Sequence, residues 1–497
     1  MRRRFFRVAA LGALLSLVLS ACGSPQTSQN QNQPTKEMTV LIRMMDAQDK
    51  FFREEILKKF EKEYGVKLNV VVFDKDEDVM AMVKLEKDSG KNTIGLIKTA
   101  ETVVNPMVNA GYMIPLKDIV GEEQLNKDLA EYSEASVAFG TIDGTVYYIP
   151  RKAETNLMLY VKSKVAEAVA NWKQYESELN EALKKYNGYG LPKGYTLEED
   201  PNQWDWYDLL VAGYYWANTD YGGIKGGKIA HRTRKYEGTT SEIFTKLLQV
   251  GGKPEDMLKG DTQALVDVFA WEGLFQELGV YNERMLKEAW TGGSIYTAFG
   301  EGQVFLAFMH QIDAFFIHGG THPTMTGYLA NPDDMGLAIM PEGVSLELDD
   351  NGQPVRRGGH YSNLSGWWWG IPVTSPDPKL SYELARFITN YENHLAESKT
   401  FGMMPIRNDV LEQVNSVFDE PWMQEVFNVS RRQIETGAWY KPIHANWAQI
   451  SAEILEMYYD VCINGNYKTD GKIDYDKIRA TMKPHAEKIR SISGVTD

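Results

Sequence analysis

The sequence predicts an α/β protein of two lobes. Three observations carry that reading. Past residue 37 the chain keeps about 460 of its 497 residues, too many for one ordinary core. The first part alternates strand and helix patterns, as a doubly wound sheet does. The second part, beyond two extended runs, is dominated by aromatic-rich helical patterns.

The elements follow in order. Residues 38–44 (MTVLIRM) and 67–73 (KLNVVVF) are β-like runs. Between them Phe52, Ile56, Phe60 and Tyr64 recur every four residues, one face of a helix that Gly65 ends. A helical stretch at 79–86 precedes a third strand pattern at 93–99 (TIGLIKT). Ligands of such sheets sit beyond the carboxyl ends of the strands. The residues leaving those ends are Asp46, Ala47 and Gln48 after the first strand and Glu101 after the third. Asp143-Gly144 reads as a tight turn, 145–150 (TVYYIP) as extended and 157–162 (LMLYVK) as a further strand. Helices follow, with Trp204, Trp206, Tyr207, Tyr214, Tyr215 and Trp216 crowded together. Residues 337–340 and 368–372 are short strand patterns, and the last hundred residues read as helical. No internal repeat of fixed period is present.

The N-terminus reads as an export signal. Arg2, Arg3, Arg4 and Arg7 form a basic head before an apolar run at 8–19, shorter than the ~20 residues that span a bilayer. Leu19-Ser20-Ala21-Cys22-Gly23 resembles the lipobox of bacterial lipoproteins. The resemblance implies cleavage after residue 21, with a diacylglycerol on Cys22. Residues 22–37 hold no large apolar side chain and are expected to be a flexible tether, spanning roughly 20 Å by flexible-chain scaling.

Lys and Arg number 53 and Asp and Glu 68, a net charge of −15; loss of the four leader arginines takes it to −19. Such a surface disfavours nucleic acid and anionic lipid as partners. Apart from Cys22 the chain has one cysteine, Cys462, so no internal disulfide is expected. No Cys/His cluster has zinc-ligand spacing, and neither a metal nor a cofactor is expected.

Several passages in order are similar to the family 1 extracellular solute-binding proteins of bacterial ABC importers, the group that includes maltose-binding protein. They are FFREEILKKFEKEYGVKLNVV (51–71), VNPMVNAGYMIPL (104–116), DGTVYYIP followed by LMLYVKSKV, FGEGQVFLAF (299–308), WGIP (369–372) before the helical 379–388, and GMMPIR (402–407). The resemblance implies a two-lobed periplasmic-binding-protein-like (type II) fold with hinge strands and a helical C-terminal region. Residues 38–150 and 341–392 fall to lobe one, and 151–340 and 393–497 to lobe two. It implies a monomer that captures a carbohydrate, expected to be an oligosaccharide, and passes it to a membrane permease. Extra segments at 189–201 and 343–359 have no counterpart in simpler members.

The residues point to sugar independently. Aromatic rings cover the C–H face of a pyranose, while Asp, Glu, Asn and Gln pair with its hydroxyls. Trp204, Trp206 and Tyr207 lie beside Asn202, Gln203 and Asp205; His310, Gln311 and Asp313 form another set; Trp367 and Trp447 are further stacking candidates. In the run Trp367-Trp368-Trp369 a strand sends alternate rings to opposite faces, so at least one is core; Trp367 is the choice for the cleft. Trp172 and Trp290 read as packing. Asp46, Gln48 and Glu101 complete the ligand set, although Asp also serves as a helix N-cap. Arg43, Lys98, Arg151 and Lys152 admit two readings. They are a cation set for an anionic sugar, or they pair with Asp46, Glu101 and Glu154. A secreted glycoside hydrolase is the rival function, but no carboxylate pair is marked by motif. A surface adhesin leaves the order of passages unexplained.

Overall fold

The computed structural model describes residues 36–76, 78–220, 228–323 and 325–495. The leader, Cys22 and all but the last two residues of the tether lie outside the described residues. One sheet runs through the molecule. Its strands are β1 (Lys36–Ile42), β2 (Val66–Val72), β3 (Ile94–Ala100), β4 (Tyr148–Val161), β5 (Ile229–Ala230), β6 (Leu306–His310), β7 (Met335–Ala338), β8 (Ser362–Gly370) and β9 (Ala438–Trp439). The order is β2-β1-β3-β8-β4-β6-β5, with β7 on β4 and β9 on β8. β1 pairs with β2 and β3 in parallel, and β8 joins β3 and β4 antiparallel.

β4 and β8 are the hinge. The start of β4 lies with lobe one, Tyr148 opposite Gly370 and Ile149 opposite Trp369. Its far end pairs with β6 and β7, Asn156 opposite His310 and Val161 opposite Met335. The register shifts between Trp367 and Trp368, leaving Arg151 as the extra residue of a bulge. The two extended pieces expected at 145–150 and 157–162 are therefore joined, with Tyr148–Val161 a single strand of 14 residues. Its polar centre masked that continuity, because Arg151, Lys152, Glu154 and Asn156 are buried rather than solvated.

The first helix matches its periodicity. Asp46–Phe51, a π turn at Phe52–Leu57 and Lys58–Tyr64 run on without a break, with Phe52, Ile56 and Phe60 buried. Gly65 takes φ 63° and caps the last turn, a conformation that costs any other residue strain. Asp143 and Gly144 both have positive φ between the short strands Thr141–Ile142 and Thr145–Val146, the turn expected there.

Lobe two is built round the helix Glu237–Gln249, buried at every position from Thr239 onward. Most of its polar residues meet a partner: Glu242 pairs with Arg232 at 2.8 Å, Lys246 with Glu272, and Thr240 bonds Ser451 at 2.8 Å; the Gln249 amide has none among the described residues. The two extra segments pack on each other. Lys193 N–H donates to Gly352 O at 2.9 Å, and Gln353 donates to Lys193 O at 3.2 Å. Residues 341–359, grouped with lobe one in the sequence reading, lie on lobe-two helices: the Trp271 indole donates to Val344 O at 2.7 Å, and Arg356 grips Asp267. Residues 402–408, grouped with lobe two, reach lobe one, where Ser133 N–H donates to Ile406 O at 2.8 Å. No helix among the described residues is long and apolar enough to cross a membrane.

Candidate functional site

The strand ends of the two lobes meet at the hinge, and charged residues gather there. The first helix leaves β1 at Asp46, the helix Glu101–Asn109 starts at the end of β3, and the helix Gln311–His318 starts at the end of β6. These junctions place Gln48, Glu101 and His310 beyond the strand ends, while Asp46 is exposed.

Glu101 is tied across the lobes. Lys441 pairs with it, reaches Glu237 of lobe two at 3.0 Å and donates to Ser241 at 2.8 Å. Burial pushes the Glu101 carboxyl up to about 7 despite the Lys441 ammonium beside it. Trp447 lies on the same wall, its indole donating to Glu237 at 3.1 Å. A cavity of about 10 Å³ is lined by Glu101, Thr102 and Phe139 together with Lys441, Ile443 and Trp447. The site thus brings Glu101 and Trp447 together. A saccharide needs some hundreds of Å³, far more than this cavity offers.

The floor is a strip of buried charge. Arg151 pairs with Glu397 at 2.6 Å, and Lys152 pairs with Glu154. Glu154 is held down at about 2: burial opposes its charge, but Lys152, His310 and Lys98 outweigh that. His310 is pushed down to about 4 by burial and the Arg232 guanidinium. Lys98 donates to Arg43 O and lies 3.9 Å from the ring centre of Trp367. Of the ion pairs expected with Asp46, Glu101 and Glu154, only Lys152–Glu154 forms. Arg43 instead pairs with Asp76 at 2.6 Å, Arg151 with Glu397, and Glu101 with Lys441. Arg151 and Glu101 thus take partners hundreds of residues away, and Arg43 one 33 residues on.

The tryptophans divide as strand geometry requires. Trp367 stays partly exposed, while Trp368 is buried, stacks on Phe139 at 4.6 Å and donates to Ser136 O at 2.9 Å. Trp369 is buried against Phe52. The other expected aromatics lie elsewhere. Trp204, Trp206 and Tyr207 are in the lobe-two core: Trp204 donates to Glu198 O at 2.9 Å, Trp206 and Tyr207 meet Trp271 edge-on, and the Tyr207 hydroxyl donates to Leu346 O. Asp205 beside them caps the helix Trp206–Asn218. Gln311 clamps β4, accepting from Thr155 N–H at 3.0 Å and donating to Ala153 O at 3.2 Å. Asp313 accepts from Arg232, Tyr296 and His310 N–H.

Other polar atoms at the site are unmatched. Gln48 Nε2, Glu101 Oε2, Thr102 Oγ1, Arg151 Nε and His310 Nε2 are buried with no hydrogen-bond partner among the described residues. Native interiors leave few such groups, and Glu101 Oε2 and Thr102 Oγ1, which share the cavity with Trp447, are what ligand hydroxyls would complete. Arg232, Glu237, Glu397 and Lys441 were missed by sequence reasoning, because nothing local marks them.

A sheet shared by two lobes through paired hinge strands, with unmatched polar groups between, defines a two-lobed binding protein. Residues 55–425 match the bacterial extracellular solute-binding protein family, and the chain belongs to it. Comparison with curated proteins returns no match. The fold is similar to maltose-bound MalE3 of T. maritima, at 15% identity and TM-score 0.66, covering 92% of this chain and 100% of that one. It is also similar to an ABC transporter solute-binding protein of Thermotoga lettingae bound with α-D-tagatose (20%, TM-score 0.65, 93% and 100%). The maltotriose-bound maltose/maltodextrin-binding domain MalE of Bdellovibrio bacteriovorus is a third (14%, TM-score 0.62, 91% and 99%).

Proposed function

We propose that the protein is the carbohydrate receptor of an ABC importer, closing its lobes on an oligosaccharide and delivering it to a membrane permease. The observation that carries this is the interlobe cavity where Glu101 Oε2 and Thr102 Oγ1, buried without partners, lie with Trp447, while Gln48, Arg151 and His310 near the strand ends also keep unmatched buried atoms. Aromatic faces beside a few placed polar groups suit sugars, and the similar structures bind maltose, tagatose and maltotriose. In this reading Gln48, Glu101, His310, Trp367 and Trp447 meet the ligand, with Asp46 at the entrance. Trp204, Trp206, Tyr207, Gln311 and Asp313 hold the frame. The reading is of a binding protein that does not turn its ligand over, carried on the extracytoplasmic face of the membrane by lipidated Cys22.

Calorimetric titration with an oligosaccharide panel, followed by product analysis, tests it. Stoichiometric binding with intact sugar is expected. Turnover would instead mark a glycoside hydrolase. For the anchor, Cys22→Ser is expected to release the protein from membranes; retention after a salt wash would refute lipidation there.

A further inference from the structure

We propose that the saccharide taken by this site is acidic, a sugar bearing a carboxylate, and that Lys98 receives that group. The proposal rests on the receptor reading above and adds the chemical class of the ligand.

Three cations enter the hinge floor, Lys98 from β3 and Arg151 and Lys152 from β4, against two carboxylates, Glu154 and Glu397. Arg151 takes Glu397 and Lys152 takes Glu154. Lys98 is 2% exposed and has neither. Its ammonium meets a single carbonyl, that of Arg43, and the face of Trp367. Among the described residues no carboxylate forms an ion pair with it. A buried cation outside any ion pair is costly, and proteins seldom retain one without use. Burial and the neighbouring charges of Arg151 and Lys152 hold Lys98 well below the ordinary lysine range, against the weaker opposing pull of Glu154 and Glu397. An incoming carboxylate would reverse that effect.

Three of the unmatched atoms on these elements are donors. Trp369, opposite Lys98 in the strand register, keeps a free indole N–H, and Arg151 Nε and Gln48 Nε2 are donors without acceptors. Sugar hydroxyls both donate and accept, whereas a carboxylate only accepts. Three donors without acceptors, beside an ammonium that forms no ion pair, fit the carboxylate. Trp367, partly exposed under Lys98, offers the sugar ring a stacking surface.

The test is calorimetry on the purified protein with disaccharides of galacturonate, glucuronate and mannuronate, each beside its neutral counterpart of the same linkage. At least one acidic disaccharide is expected to bind roughly 30-fold or more tighter than its counterpart, as loss of a buried charge pair implies. Lys98→Met is expected to erase that preference. Neutral sugars binding as well as or better than acidic ones would overturn the acidic class and leave the receptor reading standing. Absence of binding by every saccharide would overturn both. If Lys98→Met does not fold, the parent protein's selectivity decides alone.

Discussion

Arg151 and Glu397, 246 residues apart in sequence, form an ion pair of 2.6 Å inside the hinge, each 1% exposed. Breaking such a pair leaves a bare buried charge and typically costs ~3–5 kcal/mol. Glu397→Ala is therefore expected to lower the thermal unfolding midpoint sharply. The double variant Arg151→Met/Glu397→Leu should recover most of that loss, because both charges go. A single variant that unfolds like the parent would show the pair to be solvated.

Trp368 is the core member of the tryptophan run, locked by Phe139 and by its bond to Ser136. Trp368→Ala is expected to cost about 3–5 kcal/mol in denaturant unfolding. Trp367→Ala, at a partly exposed position, should cost far less. Equal losses would contradict the strand alternation.

The pH profile of stability should have two opposed limbs. His394 is pushed down to about 3 by burial and by Arg151 and Arg407, and its Nε2 accepts from Ile406 N–H at 3.1 Å, so the fold needs it neutral. His310 behaves alike, at about 4. Between these values and 6.5 the unfolded chain binds more protons, so stability falls as pH drops through that window. Glu101, raised from 4.5 to about 7, works the other way: the folded state holds the proton, and stability falls as pH rises from 4.5 to 7. Unfolding midpoints from pH 4 to 8 should show His394→Gln flattening the acid limb and Glu101→Gln the other. Unchanged slopes in both variants would refute the assignment.

Arg356 clasps Asp267 with two bonds of 2.8 Å, and the Asp267 side chain is 1% exposed. Arg356→Ala leaves that carboxylate without its main partner. A loss of ~2–3 kcal/mol is expected, with saccharide affinity unchanged because the contact ties 341–359 to lobe two away from the hinge. Weakened binding in a folded variant would tie this segment to the site instead.

Local regularities were readable in the sequence, and long-range pairings were not. The four-residue recurrence of Phe52, Ile56 and Phe60 marks a helix because burial on one face requires it. Trp204, Trp206 and Tyr207 show how that reasoning stops short. Composition announces large aromatic surfaces, but whether they cover sugar or Trp271 depends on neighbours remote in sequence. Likewise Lys98 stands out as a charge within an apolar strand, yet nothing nearby tells that Glu397 serves Arg151 and that Lys98 is left over. The hinge itself was split in two because its buried polar centre resembles a loop.

The wall of the cleft is tested most directly by calorimetry of Trp367→Ala and Trp447→Ala beside the core control Trp206→Ala, each first confirmed folded by its thermal transition. The two wall variants are expected to lose ~2 kcal/mol each, roughly thirtyfold in affinity. Trp206→Ala should lose stability while keeping the parent's affinity. If both wall variants bind saccharide within about twofold of the parent, the ligand does not lie between Trp367 and Trp447.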